Sequence, residues 1–484
     1  MPLNDCVNRS LYCLCSGMSA DYRQASAAAR EFVSCDGDAA RTHLDRRLWQ
    51  YLHYCKEFSP FWRERWHGQW EKFSPAEATV VLSALPPIGK DELRRYANDL
   101  RIEPGRRRAG ASFPRNDKQF KISSGGSTGI PTVVWHDSRW NAANRAMVDF
   151  SYRQTGLQPG TPAFYLWGSN NEISQLTSTW KKRVSTRLRG LIPMPAFAMT
   201  HDRMRDFLEI VNRRHDVESA LCFVTALDTL TDFIVRSGHS ARRLRRVITG
   251  GGTLHPELRQ RVLETFADEV FDMYGSRDMG VIAVETTAHA GLAVLQWHNY
   301  VEVLDERLQP CLPGETGRVY VTALENYSTA LIRMDMGDMA TLGCSRDIAW
   351  SPVVLKRLAG RTAEHLVAPN GALIEPAAVI HLIGVLIRPE WLKRFQVIQE
   401  DLTHFQLKVE AWQTVPDVEQ RCFATRVEDA LARLCQSAVA VRLTMVDQIP
   451  PAASGKHMYC VSNVDPSSSR VAAVSPDVES EVDS

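Results

Sequence analysis

Ser123-Ser124-Gly125-Gly126-Ser127-Thr128-Gly129-Ile130-Pro131 follows Phe120 and Ile122 and precedes Val133, Val134 and Trp135. The flanks read as strands and the run between them as a turn dense in hydrogen-bond donors. Glycine lets backbone N–H groups approach a ligand closely, and Ser and Thr hydroxyls add donors suited to phosphate oxygens. The run lacks the Gly-Lys-Ser/Thr ending of a P-loop and the G-x-G-x-x-G of a dinucleotide fold, so neither reading applies. Its chemistry is phosphate cradling. The same composition also makes a plain flexible loop, and only what accompanies the run separates the two.

Working outward, strand-like and helix-like segments alternate through residue 290, the pattern of α/β layers around a parallel sheet. Ala163 to Trp167 reads as a buried strand ending in Gly168-Ser169-Asn170-Asn171. Leu244 to Ile248 leads into Thr249-Gly250-Gly251-Gly252-Thr253, and Val270 to Tyr274 ends in Gly275-Ser276-Arg277-Asp278. These loops follow strands, where open α/β sheets bind ligands. Residues 1–110 read as a mainly helical part of the large domain and 111–360 as its α/β core. Residues 361–463 read as a small α+β domain, and the Ser- and acid-rich 464–484 as a disordered tail.

The chain has 484 residues, too many for one core, and is 44% hydrophobic, an ordinary value for a soluble protein. Lys+Arg number 57 against Asp+Glu 56, a net +1 that gives no bulk reason to expect nucleic acid or an anionic membrane as partner. Clusters such as Lys181-Lys182-Arg183 read as solvated faces. Eleven scattered cysteines suggest no disulfide framework, and Cys13-Leu14-Cys15 stands without a second pair. With no long apolar run, the expected location is the cytoplasm.

A Ser/Thr/Gly loop, Tyr274-Gly275-Ser276-Arg277-Asp278, the Arg333-to-Asp338 stretch, Gly360-Arg361 and Ser454-Gly455-Lys456-His457 follow one another in this order. The set resembles the adenylate-forming superfamily of acyl-CoA synthetases, peptide-synthetase adenylation domains and luciferases. It is most similar to the phenylacetate–CoA ligase branch and, within it, to CapK-type proteins. The resemblance spans about Leu85 to His457. It implies a large N-terminal α/β domain with a smaller, mobile α+β C-terminal domain.

It also implies roles. Ser124, Gly125, Gly126, Ser127, Thr128 and Gly129 would close over the phosphates of ATP, and Gly250, Gly251 and Gly252 would line the adenine. Tyr274 would stack on the purine, with Gly275, Ser276 and Arg277 beside it, and Asp278 would help hold Mg²⁺. Asp338 would accept from the ribose hydroxyls, and Arg361 would approach the ribose from the domain junction. Lys456 would bridge the substrate carboxylate and the α-phosphate. Trp167, Gly168, Ser169 and Asn170, with Phe223, Val224 and Thr225 at a strand end, would wall the acyl pocket. Arg277 would bind an anion or pair with Asp272 or Asp278.

The departures matter as well. The usual Gly-Arg-x-Asp-Asp hinge is Gly360-Arg361-Thr362-Ala363-Glu364 here, which puts the second half-reaction in question. A Cys/His cluster of some CapK-type relatives is reduced to His289, His298 and Cys311, so no zinc is predicted and His289 is expected at the surface or hydrogen-bonded. The expected activity is ATP- and Mg²⁺-dependent activation of a small carboxylic acid, with CoA as default acceptor. An amine or carrier-protein acceptor, an adenylyltransferase and a non-catalytic nucleotide-binding protein are the alternatives. The branch resemblance adds a homodimer.

Overall fold

A computed structural model of the chain describes residues 5–35, 37–66, 73–103, 118–124, 132–167, 173, 174, 176–194, 196, 199–344, 348, 350–361, 364–450 and 457–464. Two compact units meet in the sequence at Ala359 and Gly360.

The first unit is built on an eleven-stranded sheet. Its parallel half consists of β3 (Ala163–Leu166), β4 (Leu191–Met194), β5 (Ser219–Phe223), β6 (Leu244–Gly250) and β7 (Ala267–Ser276), in the spatial order β4-β3-β5-β6-β7. These strands read as nearly continuous apolar runs because both faces are covered. On one face Phe164, Leu166, Ala220, Cys222, Val247 and Val270 pack with side chains of helices His201–Arg213, Val224–Ser237 and Pro256–Thr265. On the other, Leu221, Ile248 and Phe271 pack with Leu157 and Leu191, and Tyr152 of helix Ser138–Gln154 lies against them. The chain leaves β3 in one direction to reach β4 and leaves β5 in the other to reach β6. A topological switch point therefore opens a crevice beyond the ends of β3 and β5.

The sheet continues antiparallel through β8 (Gly280–Glu285), β9 (Leu292–Val294), β10 (Tyr300–Leu304), β11 (Thr316–Thr322), β12 (Met334–Leu342) and β13 (Val354–Arg361). Helix Gly37–Phe58 covers this half, burying Leu44, Leu48, Tyr51, Leu52, Cys55 and Phe58 at helical spacing. Large aromatic side chains bury well when their polar tips find partners. Tyr54 Oη donates to the Tyr327 carbonyl (3.0 Å), and Trp62 Nε1, from the next helix Pro60–Arg65, to that of Ala330 (2.9 Å), tying both helices to the segment between β11 and β12. A separate antiparallel hairpin, β1 (Gln119–Ser124) and β2 (Thr132–Asp137), flanks the opening run, and its last pair is Ser124 with Thr132.

In the second unit β14 (Leu366–Val367) pairs with β15 (Leu373–Ile374), and a four-stranded sheet follows. Its order is β18 (Ala440–Met445), β17 (His404–Ala411), β16 (Leu392–Gln399) and β19 (Cys460–Ser462). Helix Asp417–Cys435 buries Phe423, Val427, Ala430 and Leu431 in the core this sheet shares.

Two histidines are buried neutral in the first unit. His136 is 1% exposed and His298 2%. Burial pushes both from the ordinary 6.5 down to about 4. The unfolded chain therefore takes up protons below pH 6.5 that the folded chain refuses until about pH 4. This stabilisation is complete above pH 6.5 and is lost as pH falls toward 4, up to about 3 kcal/mol for each histidine. Urea midpoints measured from pH 7.5 downward should fall through this window. His136→Gln, which retains a donor, should make the fall shallower, and an unchanged slope would reject the contribution of His136.

Candidate functional site

The glycine strip Gly250-Gly251-Gly252 leaves the end of β6 in contact with side chains from two neighbouring strands. A Cβ on Gly250 would lie 3.0 Å from the Trp167 ring, one on Gly251 2.0 Å from the Phe223 ring, and one on Gly252 3.1 Å from Val224 Cβ. Gly251 also has φ +77°, in the left-handed region that favours glycine. Trp167 follows β3 and Phe223 ends β5, so both rings stand at the switch point. Their centroids are 4.4 Å apart, and Tyr165 stacks on Trp167 at 5.8 Å. The expected adenine strip and part of the expected acyl wall thus form one contact. Val224 and Thr225 do not extend β5; they open helix Val224–Ser237, and Val224 is buried.

The strip is held from below by groups to which sequence reasoning gave no such part. Thr249 Oγ1 donates to Asp272 Oδ1 (2.9 Å) and to the Phe271 carbonyl (3.2 Å). Asp272 is thereby engaged by Thr249, and burial raises its carboxyl to about 7. Glu285 accepts from the Asp272 amide (2.9 Å) and from Arg259 (2.7 Å). His289 Nδ1 lies 3.1 Å from Glu285 Oε1.

Beyond the strip, two irregularities bring Tyr274 and Asp338 together. In β11–β12 the register passes from Arg318↔Met339 to Tyr320↔Asp335, which leaves Met336, Gly337 and Asp338 as a bulge in β12. Gly337 has φ +68°, and its amide donates to Asp335 Oδ1 (2.8 Å). Bulges redirect side chains out of a ladder. Here Asp338 Oδ2 accepts from the hydroxyl of the buried Tyr274 at 2.7 Å. Tyr274 is in turn followed by a register shift in β7–β8, and a Cβ on Gly275 would lie 2.5 Å from the Gly280 carbonyl. Gly275 and Ser276 belong to β7 itself, and the turn begins at Arg277. Ser276 Oγ accepts from the Met279 amide (3.1 Å) across that turn.

The hairpin β1–β2 is fastened to the same turn. His136 Nε2 donates to the Asp278 carbonyl at 3.0 Å, which selects the Nε2–H tautomer of a ring held neutral by burial. The ring stacks on Trp140 with centroids 3.5 Å apart. Thr329 Oγ1 accepts from the Trp135 amide (2.8 Å) and donates to the Trp135 carbonyl (3.0 Å). The strands that flank the Ser/Gly run are therefore fixed against Asp278. His136, Thr249 and Thr329 carry no motif. The one signal was a polar residue inside an apolar strand run, which does not say what it faces.

Gly125 to Gly129, Gly168, Ser169, Asn170, Thr362, Ala363 and Ser454 to Lys456 lie outside the described residues. For Ser124 the backbone pairing alone is described. Arg361, in the second unit, ends β13, and its carbonyl lies 2.7 Å from His365 Nδ1. Among the described residues no three His, Cys, Asp or Glu side chains converge as metal ligands, and no helix is long and apolar enough to cross a membrane.

The family model described as AMP-binding enzyme matches residues 192–325, and that of the CapK C-terminal domain matches 366–463. Residues 192–325 and 366–463 thus carry the two domain types, AMP-binding and CapK C-terminal, that the family resemblance implied. No curated protein sequence matches it. Among solved structures it is similar to 2-hydroxyisobutyryl-CoA ligase in the postadenylation state in complex with R3-HIB-AMP. That match has 17% identity and a TM-score of 0.66, covering 90% of this chain and 92% of the other. It is also similar to the anthranilate CoA ligase AuaEII in complex with anthranoyl-AMP, at 15% identity and a TM-score of 0.51 over 70% of this chain and 64% of that one. These likenesses establish the adenylate-forming fold: a large sheet-containing unit followed by a smaller C-terminal one.

Gly251→Ala should cost at least about 1 kcal/mol from the left-handed backbone alone, with a further loss from displacing Phe223. Phe223→Ala in the same chain should recover part of that loss in a thermal-melt double-mutant cycle, and strict additivity would show that the ring is not what Gly251 accommodates.

Proposed function

We propose that this protein is an ATP-dependent ligase that joins a small carboxylic acid to AMP and then passes the acyl group to a thiol, by default that of CoA. The observation that carries the reading is Asp338, aimed by the β12 bulge and held by the Tyr274 hydroxyl beyond the switch point. An ionised carboxylate there can accept from two ribose hydroxyls. Through its hydroxyl Tyr274 orients Asp338, and in this reading its ring stacks on the purine. The glycine strip supplies backbone in place of side chains where a flat base must enter, and the rings of Trp167 and Phe223 form an apolar wall beside it.

The donor set also suits Mg²⁺. A hard cation that is held by one or two carboxylates and by substrate phosphates needs no all-protein cage, and Asp278 supplies a carboxylate. When bound, the ion would offset charge on the phosphate oxygens. The protein's own part is to position the acid: a carboxylate oxygen attacks the α-phosphorus and the bond to pyrophosphate breaks. A thiol sulfur then attacks the acyl carbon of the mixed anhydride and AMP leaves. Lys456 is the cation proposed for the first step. One unit charge at 4 Å with an effective dielectric near 20 is worth roughly 4 kcal/mol. The two structural relatives named above are ligases of small acids, which supports a small acid over a long-chain one.

Pyrophosphate release is the test, with ATP, Mg²⁺ and a panel of aromatic, hydroxy, amino and fatty acids, each with and without CoA. One acid should support release, and thioester should form only when CoA is present. If ATP binds and no acid supports release, the ligase reading fails. Lys456→Ala should abolish release and leave ATP affinity nearly intact.

Tyr274→Phe removes the donor to Asp338 and should weaken ATP binding by about 1 kcal/mol, roughly fivefold in Kd. Unchanged nucleotide affinity by calorimetry would remove the pair from the site.

A further inference from the structure

Helix Asp5–Gly17 presents its polar side inward. Asn8, Tyr12 and Ser16, at i, i+4 and i+8, are 6%, 5% and 3% exposed. Asn8 Nδ2 donates to the Gly160 carbonyl (2.7 Å), and the Tyr12 hydroxyl lies 2.9 Å from Asp149. The apolar stripe of Val7, Leu11, Leu14 and Met18, at i, i+4, i+7 and i+11, faces solvent at 45%, 38%, 67% and 81% exposure. A surface helix ordinarily buries its apolar stripe, and an exposed one marks an interaction surface.

The neighbouring helix Trp180–Leu188 repeats the pattern. Asn8 Nδ2 also reaches the carbonyls of Arg187 and Leu188, both at 3.3 Å, which places the two helices side by side. Trp180 is 71% exposed and Val184, one turn on, 48%. Five of the fourteen large hydrophobic residues exposed among the described residues therefore lie on these two helices, and a sixth, Met18, directly follows the first. Such clustering is not the scatter of single apolar residues normal on a surface.

Between the acidic residues that bound these stretches, Asp5 and Asp21 in one case and Glu172 and Asp202 in the other, the charge is all positive. Between Asp5 and Asp21 the only charged residue is Arg9. From Ile173 to His201 there is no Asp or Glu, while Lys181, Lys182, Arg183, Arg187 and Arg189 occur. The overall charge of +1 hides this segregation. A second copy of the chain docked by the same face would set like charges against each other. A protein partner's helix needs a groove, and here the apolar side chains stand out from helix surfaces. Protruding Leu, Met and Trp with a basic rim match the interfacial region of a bilayer with anionic headgroups. We propose that the face formed by helices Asp5–Gly17 and Trp180–Leu188 docks the protein on an anionic lipid surface. The membrane-free partnership expected from bulk charge then gives way to a peripheral one.

Vesicle sedimentation of the full chain tests this. Binding should be seen with mixed phosphatidylcholine and phosphatidylglycerol vesicles, be weak with phosphatidylcholine alone, and fall with added salt. Leu14→Ser/Met18→Ser and Lys181→Glu/Lys182→Glu should each weaken binding at least about tenfold. These side chains are exposed, so the thermal midpoint should not move, and circular dichroism checks that the variants fold. Equal binding to both vesicle types, or unchanged binding by the two variants, would overturn the proposal. So would a lipid-free dimer, seen by light scattering, that Leu14→Ser/Met18→Ser dissociates, since the stripe would then belong to a second copy.

Discussion

The approach of the Gly251 backbone to the Phe223 ring is the constraint on which the site depends. Any side chain at Gly251 would overlap the ring, and any residue without easy access to positive φ would be strained there. The contact sets β6 against β5 at the point where strand connections reverse. Trp167, from β3, closes over the same strip through Gly250. Three strands thus deliver their ends to one place, and the Trp167 and Phe223 rings, tilted against each other at 4.4 Å, line one side of it.

Around that contact the buried polar groups are satisfied in pairs that also fix geometry. Thr249 and Asp272 anchor the base of the glycine strip, and the desolvated Asp272 carboxyl is easier to protonate than an ordinary one. His136 carries the hairpin's position to the turn containing Asp278 through the Nε2–H of a ring that burial keeps neutral. Arg333, 1% exposed, links Glu302 to the carbonyls of Ser83 and Leu85 and so ties the N-terminal helical region to the start of β12. In a low-dielectric interior such groups are costly when unpaired, so each pairing favours one arrangement of the strands it joins.

The first unit also carries polarity that composition conceals. Its N-terminal helix places amide and phenol groups against Gly160 and Asp149 and leaves leucine and methionine outward, next to a basic helix. Counting charges over the whole chain averages this to nearly zero. The second unit follows ordinary patterning: along β16 and β17 buried residues alternate largely with half-buried ones, and helix Asp417–Cys435 packs into the core they share.

The amino-acid order alone determined the α/β class, the run of strands that ends in Gly250-Gly251-Gly252 and in Tyr274-Gly275, and the family resemblance, because periodicity and glycine placement are local properties. Through the resemblance it assigned the glycine strip to the adenine and Trp167 and Phe223 to the acyl wall, and the structure brings these into one contact. Tertiary structure decided what those residues do to one another. The partnership of Tyr274 with Asp338 arises from a bulge whose two strands are joined only by long-range register, and the roles of His136, Thr249 and Thr329 exist only across strands. It also moved Val224 and Thr225 from a strand end into a helix and showed the apolar stripe of Asp5–Gly17 facing out. Periodicity reports that a helix has two faces; which face is buried is set by the neighbours that it meets, and these come from distant parts of the chain.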